Sequence, residues 1–255
     1  MRSLKELEAS QWWPIERIDE LQSRRLQRLI RHAYERVPFY RRLMDSRGIS
    51  PARIKTAADL PLLPVLFKSD VREHIDDFFA DGFLRGEMVR GRTGSSTGTP
   101  LMFYSSRENR YTHGVARALR ALQWAGVQPG DATVRIATQG SRGYVSPFGP
   151  LARFLSRETF VDSAAFSDTS LPLVVAHIAK LRPRALRGFP SAVGIIAEFI
   201  RESGAPAPQV GAVITGAEQL FDEQRTLLRG VFGSEPFNKY SSYENFDIAM
   251  ECEAH

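Results

Sequence analysis

The sequence predicts an α/β fold, a mostly parallel β-sheet layered with helices and preceded by a helical segment. Three observations carry that prediction. From Thr133 onward, short β-rich runs alternate with stretches of helical period. Several runs end in turns rich in glycine or hydroxyl side chains. The first third of the chain shows no such alternation and is instead helical and broken by prolines. Repeated β-α units of this length favour parallel strands covered by helices. In such sheets ligands sit beyond the carboxyl ends of the strands.

Taken in order, residues 1 to 45 read as helical, with Pro14 suited to a first helical turn and a stop before Pro38. Prolines 51, 61 and 64 break the next stretch into short pieces, and Ser69 or Asp70 caps the helix that closes it. Glu87 to Arg92 and Leu101 to Ser105 read as strands flanking a glycine-rich loop. Ser105 with Glu108 is a capping-box pattern, and Tyr111, Val115, Ala118, Leu119 and Leu122 share one face of the helix it opens. Then come a strand at Thr133 to Thr138, a loop from Gly140 to Gly149 and a helix around Leu151 to Leu155. Further strands are expected at Thr159 to Val161, Arg184 to Arg187, Val210 to Thr215 and Pro236 to Tyr240. Helices at Ser170 to Leu181, Ser191 to Glu202 and Phe221 to Val231 separate them. The expected division is a helical N-terminal segment, residues 1–85, packed on a nucleotide-binding α/β core, residues 86–255.

A chain of 255 residues with 43% hydrophobic and 25% charged residues has ordinary globular composition and enough length for a sizeable core. No apolar run reaches the ~18–20 residues of a membrane span. The N-terminus lacks the apolar core of a secretory signal, and Cys252 has no second cysteine to pair with. These features fit a soluble, cytoplasmic protein. The formal charge of +5 raises the question of nucleic acid. Much of the excess lies in Arg24, Arg25, Arg28, Arg31, Arg36, Arg41, Arg42 and Arg47, around the apolar set Leu26, Leu29, Ile30, Ala33, Tyr34 and Val37. That spacing makes the arginines the solvated side of an amphipathic helix, which argues against a nucleic-acid surface.

Three motifs carry chemistry. Arg92 to Pro100, RTGSSTGTP, sets Gly94 and Gly98 among the hydroxyls of Thr93, Ser95, Ser96, Thr97 and Thr99. Glycines let backbone N–H groups turn toward an oxyanion, and the hydroxyls add donors. A Walker A loop would carry lysine where Thr99 stands. Taken alone, the loop reads as readily as a polar hairpin turn. Thr215-Gly216-Ala217-Glu218 follows an apolar strand and exposes backbone suited to a flat ring, or forms a plain strand-to-helix turn. NKYSSYE, Asn238 to Glu244, offers an amide, the stacking face of Tyr240 and the hard oxygen ligand of Glu244, or is a polar loop around a tyrosine.

The order and spacing of these motifs resemble the adenylate-forming ligase superfamily. LIRHAYERVPFYRRL (Leu29 to Leu43), DLPLLPVLFKSDVRE, SSTGTPLMFY and YSSYENFDIAMECE narrow the resemblance to the phenylacetate–coenzyme A ligase branch and its CapK-like relatives. The resemblance implies the large-domain α/β fold of that superfamily and activation of a carboxylic acid with ATP and Mg²⁺. Coenzyme A or another nucleophile would then take the acyl group. On that resemblance Thr93, Gly94, Ser95, Ser96, Thr97, Gly98 and Thr99 hold phosphates. Gly216, Ala217 and Glu218 line the adenine site with Asn238, Tyr240 stacks on the base, and Glu244 binds Mg²⁺ as the catalytic carboxylate. Tyr144 and Phe148, with Phe189, Pro190 and Ser191, surround the acyl group.

Two departures qualify the match. The family's Tyr-Gly-x-Ser/Thr-Glu reads here with Ser241 in place of glycine and Tyr243 in place of the hydroxyl residue. The ribose-binding aspartate, the hinge and the lid domain with its catalytic lysine are not identified in the sequence. Lys5, Lys55, Lys68, Lys180 and Lys239 do not match that lysine. The expectation is therefore a large-domain portion that turns over slowly or not at all alone, with a homodimer or a separate lid-domain chain as candidate partner. The alternatives are a catalytically impaired homologue that acts as a nucleotide- or partner-binding module, and a basic scaffold for anionic polymers. Cys252 and His255 supply two of the four ligands a structural zinc site needs.

Overall fold

A computed structural model describes residues 2–93, 99–138, 157–245 and 247–255. Contacts divide the chain into two compact units, one of Arg2 and Leu4–Asn109, the other of Ser3 and Arg110–His255. The loop and helix expected between residues 139 and 156 lie outside the described residues.

In the first unit, helices α1 (Arg2–Ser10), α2 (Ile15–Arg36), α3 (Pro38–Ser46) and α4 (Lys68–Glu73) precede a two-stranded antiparallel hairpin. Val37, extended, separates α2 from α3, and Pro38 opens α3 at its first turn. The proline therefore marks a restart of helix rather than a long loop. Ile30, Met44 and Ile54 form this unit's buried cluster, with Leu26, Tyr34, Ile49 and Leu63 packed against it. Leu29, grouped by spacing with the apolar face, is 61% exposed, because its neighbour Ile30 takes the inward position. Arg42 pairs with Asp77 at 2.6 Å and Arg41 with Asp81 at 3.8 Å, so part of the basic stretch is neutralised within the unit. The hairpin joins β1 (Val89–Arg92) to β2 (Met102–Ser105). Ser105, buried on the inward face of β2, does not cap the following helix. Ser106 does, accepting from the Asn109 N–H at 3.1 Å.

The second unit holds a six-stranded sheet in the order β4-β3-β5-β6-β7-β8. Its strands are β3 (Thr133–Ala137), β4 (Glu158–Asp162), β5 (Ala185–Gly188), β6 (Ala212–Gly216), β7 (Phe237–Tyr240) and β8 (Ala249–Met250). All neighbours run parallel except β8, which pairs antiparallel with β7. The connection from β4 returns across β3 to β5, so the winding reverses there, the place where open α/β sheets leave a crevice.

Strand alternation sorts the two faces. Val134, Ile136, Leu186 and Val213 form one face, covered by α6 (Leu171–Leu181), α7 (Pro190–Ser203) and α8 (Asp222–Phe232). Helix α7 buries Val193, Ile196, Ala197 and Ile200, spacing that keeps one stripe on the sheet. Ala185, Ala212 and Ile214 face the other way, against Leu122 of α5 (Gly114–Trp124) and Ala125 and Val127 after it. No helix among the described residues is long and apolar enough to cross a membrane.

Candidate functional site

A cavity of about 270 Å³ opens at the carboxyl ends of β3, β5, β6 and β7. Its apolar wall is Ile136, Ala137, Phe189 and Ile214, and its rim is Ser241, Ser242 and Tyr243. The volume lies just below the ~300–1,000 Å³ of small-molecule sites. It suits part of a ligand such as an acyl group better than a whole nucleotide.

Gly216 and Ala217, expected from sequence beside the adenine, form one side of this cavity. A Cβ on Gly216 would stand 2.9 Å from the Lys239 carbonyl oxygen, so only glycine lets β6 approach β7 so closely here. Ala217 has φ of 68°. The left-handed region costs a non-glycine residue about 1–2 kcal/mol, and such strain concentrates at functional turns. Phe189 lies on the same wall, where it precedes the first turn of α7, and Pro190 is buried beside it. Ser191 and Glu218 are exposed and meet directly. The Ser191 N–H, one of the unpaired donors at the start of α7, donates to the Glu218 carboxylate at 3.2 Å. Two separate sequence-predicted segments are thus tied together by a carboxylate at a helix N-terminus, where negative charge is favoured.

The other candidates stand apart from the cavity wall. Tyr240 is 69% exposed at the end of β7. Asn238 sits in register with Thr215, and its backbone makes both of its bonds with Glu251, the N–H donating to the carboxylate at 2.6 Å and the carbonyl accepting from the Glu251 N–H at 3.0 Å. Arg225 of α8 fixes that glutamate at 2.7 Å and Glu235 at 2.9 Å. The Arg225 hydrogen bond also holds the Glu235 carboxyl below its ordinary range. This clasp anchors the base of the loop that rims the cavity. Within the loop, Asn245 donates its N–H to Ser242 Oγ at 3.0 Å, and Glu244 is exposed. Among the described residues no group of three or more His, Cys, Asp or Glu side chains gathers as a metal site. Cys252 and His255 have no such company; the His255 ring packs against Phe237 with centroids 4.4 Å apart and planes tilted by 44°, and its Nδ1 lies 3.8 Å from the Glu251 carboxylate.

Thr93 and Thr99 belong to the first unit. Thr93 closes the base of the hairpin: its N–H donates to Leu101 O at 2.9 Å, and its Oγ1 accepts from the Leu101 N–H at 3.0 Å. The Thr99 carbonyl accepts from the Arg72 guanidinium at 2.5 Å. Just before the loop, Gly91 lies against the Phe103 ring, which leaves no room for a Cβ there. Gly94 to Gly98, Tyr144 and Phe148 lie outside the described residues.

Sequence reading missed the charged part of the cavity. Arg135 and Arg187 are register partners on adjacent parallel strands, and both line it, as does Lys239. Arg187 pairs with Glu158 at 3.2 Å, and Lys239 pairs with the half-buried Asp247. Burial pulls the Arg135 guanidinium below its ordinary range; Glu158 opposes that shift and Arg187 adds to it. The signal was present in the alternation of TVRIA and ALRG. Each strand places one arginine opposite the apolar residues that define the helix-covered face.

The fold is similar to that of a solved acid–coenzyme A ligase. An open conformation of 2-hydroxyisobutyryl-CoA ligase, solved in complex with 2-HIB-AMP and CoA, superposes with a TM-score of 0.71 at 25% identity over 92% of this chain and 56% of that one. In sequence the chain is similar to phenylacetate–coenzyme A ligases. It is 30% identical to that of Thermus thermophilus over 251 residues, 94% of this chain and 54% of the relative. It is 34% identical to the Escherichia coli enzyme over 45% of this chain and 26% of that one. The chain therefore spans about half the length of the curated relatives it matches. No family model matches it.

Proposed function

We propose that the chain forms the acid- and nucleotide-binding part of an ATP-dependent acid–coenzyme A ligase. The observation that carries this reading is the cavity at the strand ends, walled by Gly216 and Ala217 and rimmed by Ser241 to Tyr243, in a chain related to such ligases over 94% of its length. In the reaction, a carboxylate oxygen attacks the α-phosphorus of ATP, the bond to the bridging oxygen breaks and pyrophosphate departs. The sulfur of coenzyme A then attacks the acyl carbon, giving a thioester and AMP.

The residues supply surfaces and orientation for these steps. Exposed peptide groups of Gly216 and Ala217 suit a flat base, and the exposed ring of Tyr240 is free to stack on it. Phe189 and Ile136 give the acyl group an apolar wall and exclude water around the acyl carbon. The Thr93 to Thr99 loop is assigned to phosphates. Glu244, a lone exposed carboxylate, fits Mg²⁺, which takes one or two protein carboxylates and completes its shell with phosphates and water. When bound, that ion would neutralise charge on the departing pyrophosphate. The division into a helical segment, 1–85, and a nucleotide-binding core, 86–255, belongs to the same proposal, as does a lid domain acting from a separate chain or a second copy.

Exchange of labelled pyrophosphate into ATP tests the reading, over a panel of aryl and fatty acids, with the chain alone and with a ligase lid domain supplied separately. Acid-dependent exchange in either arm is the expected result. No exchange in both arms, together with no AMP binding by calorimetry, overturns it.

A further inference from the structure

The glycine-rich motif carries no lysine, and its own cation, Arg92, precedes the glycines on β1. A second cation reaches it from elsewhere in the same unit. Arg72 of α4 donates from its guanidinium to the Thr99 carbonyl at 2.5 Å, across 27 positions of sequence. Thr99 stands where a Walker A loop would place its lysine. At the other foot of the hairpin, Thr93 holds Leu101 through both its N–H and its hydroxyl, so the two ends of the motif are fixed.

A guanidinium with carboxylates in its neighbourhood usually takes one. Arg42 does so with Asp77 at 2.6 Å, and Arg85 with Asp76 at 2.8 Å. Asp70, on the same helix as Arg72, accepts from the Phe67 N–H at 2.7 Å and caps α4. These aspartates are committed, and Arg72 forms no ion pair among the described residues. A guanidinium has five N–H donors in a planar fork and keeps its charge at any ordinary pH. The bond to Thr99 fixes the direction of the side chain and leaves the rest of an exposed fork beside the end of the loop. Such a fork matches phosphate oxygens, and its bonds to them are stronger than bonds to a neutral acceptor.

We propose that Arg72 is the cation of the phosphate site: it takes the place of the lysine that the motif lacks and binds the β- and γ-phosphates of ATP. The inference rests on the ligase reading, in which the Thr93 to Thr99 loop is assigned to phosphates. As the carboxylate oxygen bonds to the α-phosphorus, the departing pyrophosphate gains charge, and a fixed cation on its oxygens eases that departure. The proline-broken segment ahead of the hairpin then has a task, which is to carry α4 to the end of the loop.

Calorimetry on the chain, with Mg²⁺ throughout, compares ATP, tripolyphosphate and AMP. Arg72→Gln keeps a donor for the Thr99 carbonyl and loses the charge, whereas Arg72→Lys keeps the charge and loses the fork. The glutamine variant should bind ATP and tripolyphosphate about tenfold more weakly, with AMP binding nearly unchanged. The lysine variant should fall between it and the parent. On the parent chain, ATP should protect Arg72 from phenylglyoxal, read by peptide mass spectrometry, and AMP should not. Unchanged ATP affinity in the glutamine variant overturns the proposal, because Arg72 is then only a peg for Thr99. An equal loss of ATP and AMP binding also overturns it, since AMP lacks the phosphates that Arg72 would hold. So does bound ATP that leaves Arg72 as reactive as in the free chain, a result that needs no variant to fold. If neither nucleotide binds the parent, the ligase reading falls and tripolyphosphate decides the arginine alone. Binding that weakens in the glutamine variant then upholds the phosphate site, and equal or absent binding overturns it.

Discussion

Replacing Glu218 separates two roles that the same carboxylate could play. Its resemblance-based role is to line the adenine site, whereas its contact is with the Ser191 N–H at the start of α7. Glu218→Ala removes a capping acceptor and a charge favourable to the helix dipole. Because Ser191 is exposed, water replaces part of the bond, which sets the expected cost at about 0.5–1 kcal/mol, the lower half of the capping range. At this chain length that lowers the melting temperature by about 1–4 °C. Glu218→Gln keeps the acceptor and loses only the charge, for about 0.3–0.5 kcal/mol. Urea denaturation followed by circular dichroism measures both variants, at 50 mM and at 500 mM salt. The gap between Gln and the parent should shrink at high salt, since screening weakens the charge–dipole part. AMP affinity measured on the same samples should change less than threefold. Stability within about 0.2 kcal/mol of the parent in both variants, where a cap should cost more, would refute the capping argument. Unchanged stability with AMP binding lost would move Glu218 to the ligand.

Three further outcomes are expected. Ala217→Gly should raise stability by about 1 kcal/mol in urea, because glycine occupies the left-handed region without the penalty alanine bears. Arg225→Met should make the protein more sensitive to acid. Glu235 has a depressed carboxyl pKa in the folded state, so its stabilisation is complete above the ordinary carboxylate value and is lost as pH falls through the lowered one. Without Arg225 the acid-unfolding midpoint shifts upward, which a pH titration of circular dichroism reads directly. Glu244→Gln should weaken ATP binding on the order of tenfold with Mg²⁺ present and leave Mg²⁺-free binding nearly unchanged; equal loss in both conditions would make Glu244 structural.

The sheet was legible because its strands are short, apolar on one face and closed by turn chemistry. VGAVIT and TVRIA had little else to become. Strand β8 was not legible, since two residues after a polar loop carry no period; the Glu251 bonds to Asn238 and the Ile248 N–H donating to the Tyr240 carbonyl at 3.1 Å hold it antiparallel to β7. Leu29 shows the limit of helical spacing, for the i, i+3, i+4 rule admits two adjacent residues and packing chooses one. From sequence the Gly216-Ala217 turn offered exposed backbone or a plain strand-to-helix turn; it lines the cavity, and the close passage of Lys239 is what requires its glycine.

The arginines that line the cavity were hidden for a deeper reason. An arginine within a strand reads as a solvent-facing position, and for β3 and β5 taken singly that reading is sound. What converts Arg135 and Arg187 into a pair is register, which juxtaposes residues 52 positions apart and follows from no local pattern. Register also explains why the site motifs separated. Asn238 and Thr215 align across β6 and β7, which turns Asn238 away from the face that carries Arg135, Ile214 and Lys239. The residue types named by resemblance are therefore present at the strand ends, but the side of the sheet each one faces was decided by pairing. Gly216, Ala217 and Phe189 line the cavity, and beside them stand Arg135 and Arg187, which no motif had singled out.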